Sequence, residues 1–197
     1  MPSELDELLD QVHRCRLCEA DLPLGARPVL QCAPSARILI AGQAPGHKVH
    51  ASGIPFDDAS GNRLRQWMGV EREQFYDPAQ IAILPQGFCY PGTGASGDLP
   101  PDPRCAQTWR KPLLAQLPQI GLTLLLGQYA QAWHCGKSRQ TLTERVANWR
   151  EYLPEMLPLP HPSPRNNRWL RQNPWFEDEV LPELRKQVRQ LLPPKTE

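Results

Sequence analysis

The sequence has no long hydrophobic run and almost no net charge. None of its apolar stretches approaches the roughly 20 residues that a membrane-spanning helix needs, and the opening residues, MPSELDELLDQ, are acidic, unlike a basic-then-apolar export signal. The 22 Lys and Arg against 21 Asp and Glu leave a net charge of +1, so any contact with nucleic acid must come from a local basic patch. We therefore expect a cytoplasmic protein without a membrane partner.

Two nucleotide-binding signatures are also absent. The stretch GQAPG at residues 42–46 lacks the Gly-Lys-Ser/Thr of a phosphate-binding loop and the Gly-x-Gly-x-x-Gly of a dinucleotide fold. What it offers is a turn of small residues whose backbone N–H groups can face a ligand beside the Gln43 amide. An ordinary turn after a strand is the competing interpretation.

The length of 197 residues suits one domain with a sizeable core, and we predict a single domain over residues 1–197. The apolar runs of strand length are residues 37–42, 81–85, 122–127 and 155–160. The first and third are nearly continuous aliphatic segments closed by Gly, which is typical of strands buried on both faces of a parallel sheet. The prolines of the last run favour an edge strand.

Helical patterns lie between and around these strands. We predict helices over residues 3–12, 60–69, 103–118, 128–133 and 176–191. Residues 141–149 could extend the helix over 128–133. Ser60 is the expected N-cap of the second helix. The alternation of strand and helix predicts a three-layer α/β/α sandwich around a central, four-stranded, mainly parallel sheet. Because ligands of such sheets lie outside the carboxyl ends of the strands, the three polar loops that follow strands should converge on one edge.

Those three loops resemble the motifs of the uracil-DNA glycosylase superfamily. GQAPG is similar to the first motif, which reads Gly, a polar residue, a variable residue, Pro, then Gly or Tyr. GIPFDDASGNRL at 53–64 resembles the segment whose aromatic residue stacks on an extruded base. HPSPRN at 161–166 resembles the second motif, most nearly that of the single-strand-selective monofunctional enzymes. The resemblance runs from Cys15 to Trp169 and implies a uracil-DNA glycosylase-like fold, with DNA containing a damaged base as the partner.

An enzyme that acts on a base in a duplex must extrude the nucleotide into a pocket, and the resemblance assigns residues to this task. Phe56 would be the flat wall beside the base, with a core aromatic as the alternative. Arg165 and Asn166 stand where the intercalating residues of the family fall, and Ser163 would contact phosphate. Three cations are weaker candidates for contact with DNA, and each could equally be a solvated surface charge. They are Lys48, Arg168 and Arg171.

Breaking the bond to the base develops negative charge on the base and positive charge on the sugar. His161 resembles the family histidine that donates a hydrogen bond to the base O2. An acid should stabilise the sugar and orient the attacking water, yet Gln43 and Ala44 stand where other branches carry Glu, Asp or Asn, leaving Gln43 as the polar candidate of that loop. Asp58 resembles the acid of a thermophilic branch, so we predict Asp58 in this role and Asp57 second, with a helix-terminal carboxylate as the alternative.

The residue that would read the base also departs from the family pattern. Pro85 stands near the place of an Asn in the thermophilic iron–sulfur branch, and a proline side chain has no hydrogen-bonding group. Gln86 or the backbone around Gly87 and Phe88 would have to read the base instead. Uracil is the first expectation, and hypoxanthine, xanthine or a damaged pyrimidine stay open.

Four of the six cysteines form a pattern. Cys15 and Cys18 make a Cys-x-x-Cys pair, and Cys89 and Cys105 lie in and after the second polar loop. From the residues alone, a redox pair and a tetrahedral zinc site are open. The thermophilic and archaeal iron–sulfur uracil glycosylases use the same spacing, and this resemblance implies a structural [4Fe–4S] cluster held by the four thiolates, with zinc or no metal as alternatives.

The sequence thus predicts a monomeric, monofunctional glycosylase of DNA base-excision repair that hydrolyses the bond between a damaged base and deoxyribose. No motif places a lysine nucleophile, which argues against a lyase. Two alternatives remain. One is a protein of this fold that binds damaged or single-stranded DNA with weak or no catalysis, and the other is an iron–sulfur redox sensor whose cluster state changes its affinity for DNA.

Overall fold

A computed structural model describes residues 2–136 and 138–192. The strands of these residues are β1 (Ile38–Ala41), β2 (Ile81–Ile83), β3 (Thr93–Gly94), β4 (Gly97–Asp98), β5 (Leu122–Leu126) and β6 (Met156–Leu159). Four of them form one sheet in the order β2-β1-β5-β6, and all three pairings are parallel. Strands β3 and β4 form a separate antiparallel hairpin. The predicted central sheet is therefore confirmed, and β6 lies at its edge as its prolines indicated.

The helices cover both faces of this sheet. They are α1 (Glu4–His13), α2 (His47–Ser52), α3 (Ala59–Met68), α4 (Arg72–Phe75), α5 (Pro103–Ala115), α6 (Gly127–Cys135), α7 (Leu142–Ala147), α8 (Asn167–Gln172) and α9 (Leu181–Leu191), with one turn of π-helix at Phe176–Val180. None of the helices in the described ranges is both long and apolar enough to cross a membrane.

Side chains of successive strand residues enter two different cores, because neighbouring residues of a strand point to opposite faces. Ile38 and Ile40 pack with residues of α3 and α9, whereas Leu39 packs with residues of α1 and α5. Each buried strand therefore contributes to a layer on either side of the sheet. This arrangement confirms the predicted three-layer α/β/α sandwich.

The helices differ from the prediction in several details. Helices α2, α4 and α8 were not predicted, and the segment over 176–191 begins with the π-helical turn. Ser60 does not cap α3, because Oδ1 of Asp58 accepts the N–H of Gly61 at 2.9 Å. Residues 141–149 do not extend α6, since Thr141 and Glu144 form a capping box that starts the separate helix α7. The predicted helix over 103–118 ends at Ala115, shortly before Pro118.

Candidate active site

A large polar cavity of about 630 Å³ lies at the carboxyl ends of β1, β2 and β6. The loops that line it follow these three strands and contribute residues around Gly42–Gly46, Ser96–Asp98 and His161–Asn166. The three polar loops expected at one edge of the sheet are thus brought together. A cavity of this size accommodates a small ligand.

Backbone hydrogen bonds hold the first two loops to each other. The N–H of Gln86 donates to the carbonyl oxygen of Gly42 at 3.0 Å, and the N–H of Gly87 donates to that of Gln43 at 3.0 Å. The side-chain Nε2 of Gln43 donates to the carbonyl oxygen of Leu99 at 3.2 Å. Gln43 lines the cavity, but its amide nitrogen already holds the end of the hairpin.

His161 lies in the wall of the cavity in a defined protonation state. Its Nδ1 accepts the backbone N–H of Ser163 at 3.2 Å, which places the ring proton on Nε2. Burial lowers the pKa of His161, and the nearby carboxylates of Asp58 and Asp98 oppose this shift. The side-chain nitrogen of Asn166 donates to the carbonyl oxygen of His161 at 2.7 Å and fixes the turn. The site therefore contains a neutral imidazole whose Nε2–H has no acceptor among the residues that the structure describes.

Phe56 lies under the cavity in a strained conformation. Its φ of 56° falls in the left-handed region, which is unusual for a bulky residue. A Cβ on Gly42 would lie 3.6 Å from the ring, and a Cβ on Gly61 would lie 1.7 Å from the carbonyl oxygen of Phe56. The glycines thus make room for the ring and its backbone. Phe56 both packs against the core and lines the cavity. It is therefore a core aromatic and also a possible wall for a base.

The three acidic residues near the cavity have different surroundings. Asp58 lines the cavity and also caps α3. Asp57 lies outside the cavity lining and pairs with Arg72, with 3.3 Å between Oδ1 and Nη2. Asp98 lines the cavity from β4 and was not among the predicted site residues. Its position in a polar loop that follows a strand was the signal that could have identified it, as was also true of Gln128 after β5.

Gln86, Gly87 and Phe88, predicted to read the base in place of Pro85, do not line the polar cavity. Pro85 itself lines it, whereas Gly87 and Phe88 line a second cavity. Gln86 is buried, and its Nε2 has no hydrogen-bond partner among the residues that the structure describes. The structure therefore does not bring Gly87 and Phe88 into the polar cavity.

The predicted DNA-binding residues lie mostly at the rim. Lys48, Ser163, Arg165 and Asn166 line the cavity. Nη1 of Arg165 donates to the carbonyl oxygen of Ser96 at 3.3 Å and links the loop after β6 to the hairpin. Arg168 and Arg171 lie on α8, where their side chains are exposed and outside the cavity lining.

The second cavity is small, mainly apolar and lined by Cys15, Cys18, Cys89 and Cys105. The N–H of Phe88 donates to Sγ of Cys105 at 3.3 Å. Burial raises the pKa of the Cys105 thiol to about 12 and that of Cys18 to about 11. Within residues 2–136 and 138–192, no three His, Cys, Asp or Glu side chains converge tightly enough for a single metal ion.

In α/β proteins with a parallel sheet, ligands commonly bind at the carboxyl ends of the strands, where this cavity lies. Comparison with known families is more specific. Residues 30–185 match the family model of the uracil DNA glycosylase superfamily. The match covers well over half of the chain, and the protein belongs to this superfamily. The predicted membership of this superfamily is thereby confirmed.

Proposed function

We propose that the protein is a monofunctional DNA glycosylase that hydrolyses the bond between deoxyribose and uracil or a related deaminated or damaged base. The observation that carries the proposal is the neutral His161 in the cavity that the ring of Phe56 also lines, in a chain of this superfamily. An extruded base needs a flat wall and polar groups in a pocket. Both are present in the 630 Å³ cavity.

The residues of the cavity suit the charges that develop in this reaction. With the base against Phe56, the N–H of His161 would stabilise negative charge on a base oxygen, as donors of an oxyanion hole do. Carboxylates line the same cavity, among them that of Asp58, and a carboxylate there would face the positive charge of the sugar. No lysine other than Lys48 lines the cavity among the described residues, and Lys48 is exposed at the rim. This supports hydrolysis by water over a lyase reaction through a lysine amine.

The rim suits a DNA backbone. Lys48 and Arg165 supply positive charge, and the Ser163 hydroxyl can donate to phosphate oxygens. The exposed cations of α8, which directly follows this loop, extend the basic edge. Such contacts position the strand without reading its sequence.

A lesion panel tests the proposal. The anaerobically purified protein is incubated with single- and double-stranded oligonucleotides that contain uracil, hypoxanthine or xanthine, and alkali-labile cleavage is measured. We expect cleavage of at least one of them, with undamaged DNA of the same sequence left intact. Absence of cleavage on every substrate would remove the enzymatic proposal.

One observation favours the alternative of a binding protein, since the loop after β1 has no acid. Tight, lesion-dependent binding without any cleavage would be the result expected for that alternative. Fluorescence anisotropy on the same oligonucleotides separates the two functions, because an enzyme shows both binding and turnover.

We also propose that Cys15, Cys18, Cys89 and Cys105 hold a [4Fe–4S] cluster. The four thiols line one cavity with apolar walls, and an N–H donor already meets one of the sulfurs. Such a cluster would join the segment after α1 to α5 and to the loop after β2, and it would have a structural role. Ion pairs of Arg104 with Asp21 and Asp102 hold the same segments together.

Replacing Cys15 or Cys105 by Ser is expected to abolish bound iron and acid-labile sulfide and to remove the visible absorption of the purified protein. Cys135, which lies outside the cavity lining, provides the matched control. Cys135→Ser should retain the iron content of the unsubstituted protein. One zinc and no iron in the unsubstituted protein would support the zinc alternative. A change in DNA affinity on oxidation of the cluster would support redox sensing.

A further inference from the structure

The loop after β1 leaves the cavity without the expected acid. Gln43 and Ala44 have no carboxylate, and Nε2 of Gln43 is bonded to the backbone of the hairpin. Asp58 does reach the cavity, but its Oδ1 accepts the N–H of Gly61 and holds the start of α3. A capping carboxylate is fixed against the helix terminus by that bond. Asp58 thus has a structural task in addition to any role toward a ligand.

A second carboxylate enters the cavity from the hairpin of β3 and β4. Oδ1 of Asp98 accepts a hydrogen bond from Oγ1 of Thr93 at 3.1 Å. The same Oγ1 lies 2.6 Å from the hydroxyl of Tyr90, a buried side chain. Hydrogen bonds in such a chain strengthen one another and fix the orientation of the terminal group. Asp98 is therefore held from one side, by Oδ1 alone.

The other oxygen of Asp98, Oδ2, lies near Gly46, which also lines the cavity. Within the described residues no donor meets Oδ2, and a Cβ placed on Gly46 would lie 3.4 Å from it. Glycine at position 46 keeps the approach between the hairpin and the loop after β1 clear of side chains. The bond from Arg165 to the carbonyl oxygen of Ser96 joins the same hairpin to the loop of His161. Asp98 thus lies near the loop after β1, on a hairpin that is hydrogen-bonded to the loop of His161.

The charge of Asp98 also acts on the histidine of the cavity. Asp58 and Asp98 are the two carboxylates that oppose the effect of burial on His161. Both acids are therefore close enough to influence a reaction beside the imidazole. Only Asp98 has no helix to cap.

We propose that Asp98 is the acid that orients the attacking water and faces the positive charge of the sugar, in place of the acid absent from GQAPG. This inference rests on the proposed glycosylase function. In the reaction, the bond from C1′ to the base nitrogen breaks and its electron pair leaves with the base. The water oxygen bonds to C1′, and its proton passes to Oδ2 of Asp98. The base anion takes up a proton from solvent, and Asp98 returns its proton to solvent. The products are the free base and an abasic deoxyribose.

Asp98→Asn keeps the shape of the side chain and its bond to Thr93 while removing the charge. We expect the single-turnover rate of base release to fall by about 100-fold or more, the range for loss of a general base, with unchanged DNA affinity and unchanged melting temperature. Asp58→Asn should cost less, because Asn caps a helix as well as Asp does. Asp178→Asn, an exposed change on the π-helical turn, is the matched control and should leave the rate unchanged.

Thr93→Val adds a second measurement that does not alter the carboxylate itself. Without the bond from Thr93, the rate of base release should fall by only about tenfold, because Asp98 loses its orientation but keeps its charge. A rate for Asp98→Asn within about threefold of the unsubstituted protein, with a large loss in Asp58→Asn, would overturn the role of Asp98 and leave the glycosylase proposal in place. If Asp98→Asn does not fold, an unchanged rate in Thr93→Val overturns the role instead. An unsubstituted protein that cleaves no lesion would overturn both proposals.

Discussion

Replacing His161 with Leu is expected to lower the single-turnover rate of base release by about 10²–10³-fold, the usual cost of losing one donor to a developing oxyanion. Leu removes the Nε2–H while filling a similar volume in the cavity wall. Affinity for lesion-containing DNA should change little, because most of the binding energy comes from the backbone. Rapid-quench cleavage measures the rate, and anisotropy measures the affinity.

The pH dependence of the same reaction follows from the direction of the histidine shift. Burial places the pKa of His161 below its ordinary value of 6.5, so the neutral donor predominates at neutral pH. The rate should be constant from pH 6.5 upward with respect to this group and should fall as pH drops through its lowered pKa. Asp98→Asn removes one of the carboxylates that raise this pKa, so the acid limb should move to still lower pH.

An exposed histidine on α1 provides the control for His161. His13→Leu should leave the rate and its pH profile unchanged, because His13 lies outside the cavity lining. Base release by His161→Leu at nearly the normal rate would contradict the role of His161 as a donor. An equal loss of rate and DNA affinity would instead indicate that the side chain only supports the loop.

The sheet could be predicted because its physical signal is local. Residues 122–126 are almost entirely aliphatic, and only a strand covered on both faces buries every one of them. The edge position of β6 followed in the same way from prolines that cannot complete a ladder. Once parallel strands are assumed, the loops that follow them must meet at one edge, so His161, Phe56 and Gln43 could be placed in one cavity.

The parts that were missed depend on contacts between distant segments. The polar loop after β2 marks Asp98 as a possible site residue, but Asp98 enters the cavity only because a short hairpin folds back toward Gly46. Asp58 and Ser60 are both good caps, and the choice between them depends on the tight approach of Gly61 to the backbone of Phe56. Side-chain identity therefore listed Asp58 as a candidate, missed Asp98 and did not decide between Asp58 and Ser60 as the cap.

Arg110 is the clearest case of a residue whose role only the fold reveals. In the sequence it is one of many charges of a helical segment, yet its side chain is completely buried. Its Nη1 donates to the carbonyl oxygens of Leu84 at 2.6 Å and Pro85 at 3.0 Å, and its Nη2 lies 2.9 Å from Nε2 of His134. Burial lowers the pKa of His134 to about 4, so this ring is neutral and accepts the bond. The guanidinium thereby ties α5 and α6 to the end of β2.

Arg110→Met is expected to lower the free energy of unfolding by about 3 kcal/mol. The substitution leaves two buried carbonyl oxygens without a donor, and each such group costs about 1–3 kcal/mol. The cost of burying the charge disappears at the same time, which offsets part of the loss. Urea unfolding followed by circular dichroism measures the difference, and an unchanged m-value would show that the effect lies in the folded state.

The neighbouring residue on α5 supplies the control, because Lys111 is exposed. Lys111→Met should change stability by no more than about 0.5 kcal/mol, and Arg110→Lys should lie between the two, since a single ammonium can reach only part of the carbonyl set. If Arg110→Met were as stable as the unsubstituted protein, the free-energy cost of desolvating the guanidinium would equal the free energy that its hydrogen bonds contribute. Stability would then give no reason for a buried charge at this position. Its remaining effect would be to hold Pro85 at the wall of the polar cavity, and a lower rate of base release at full stability would reveal that effect.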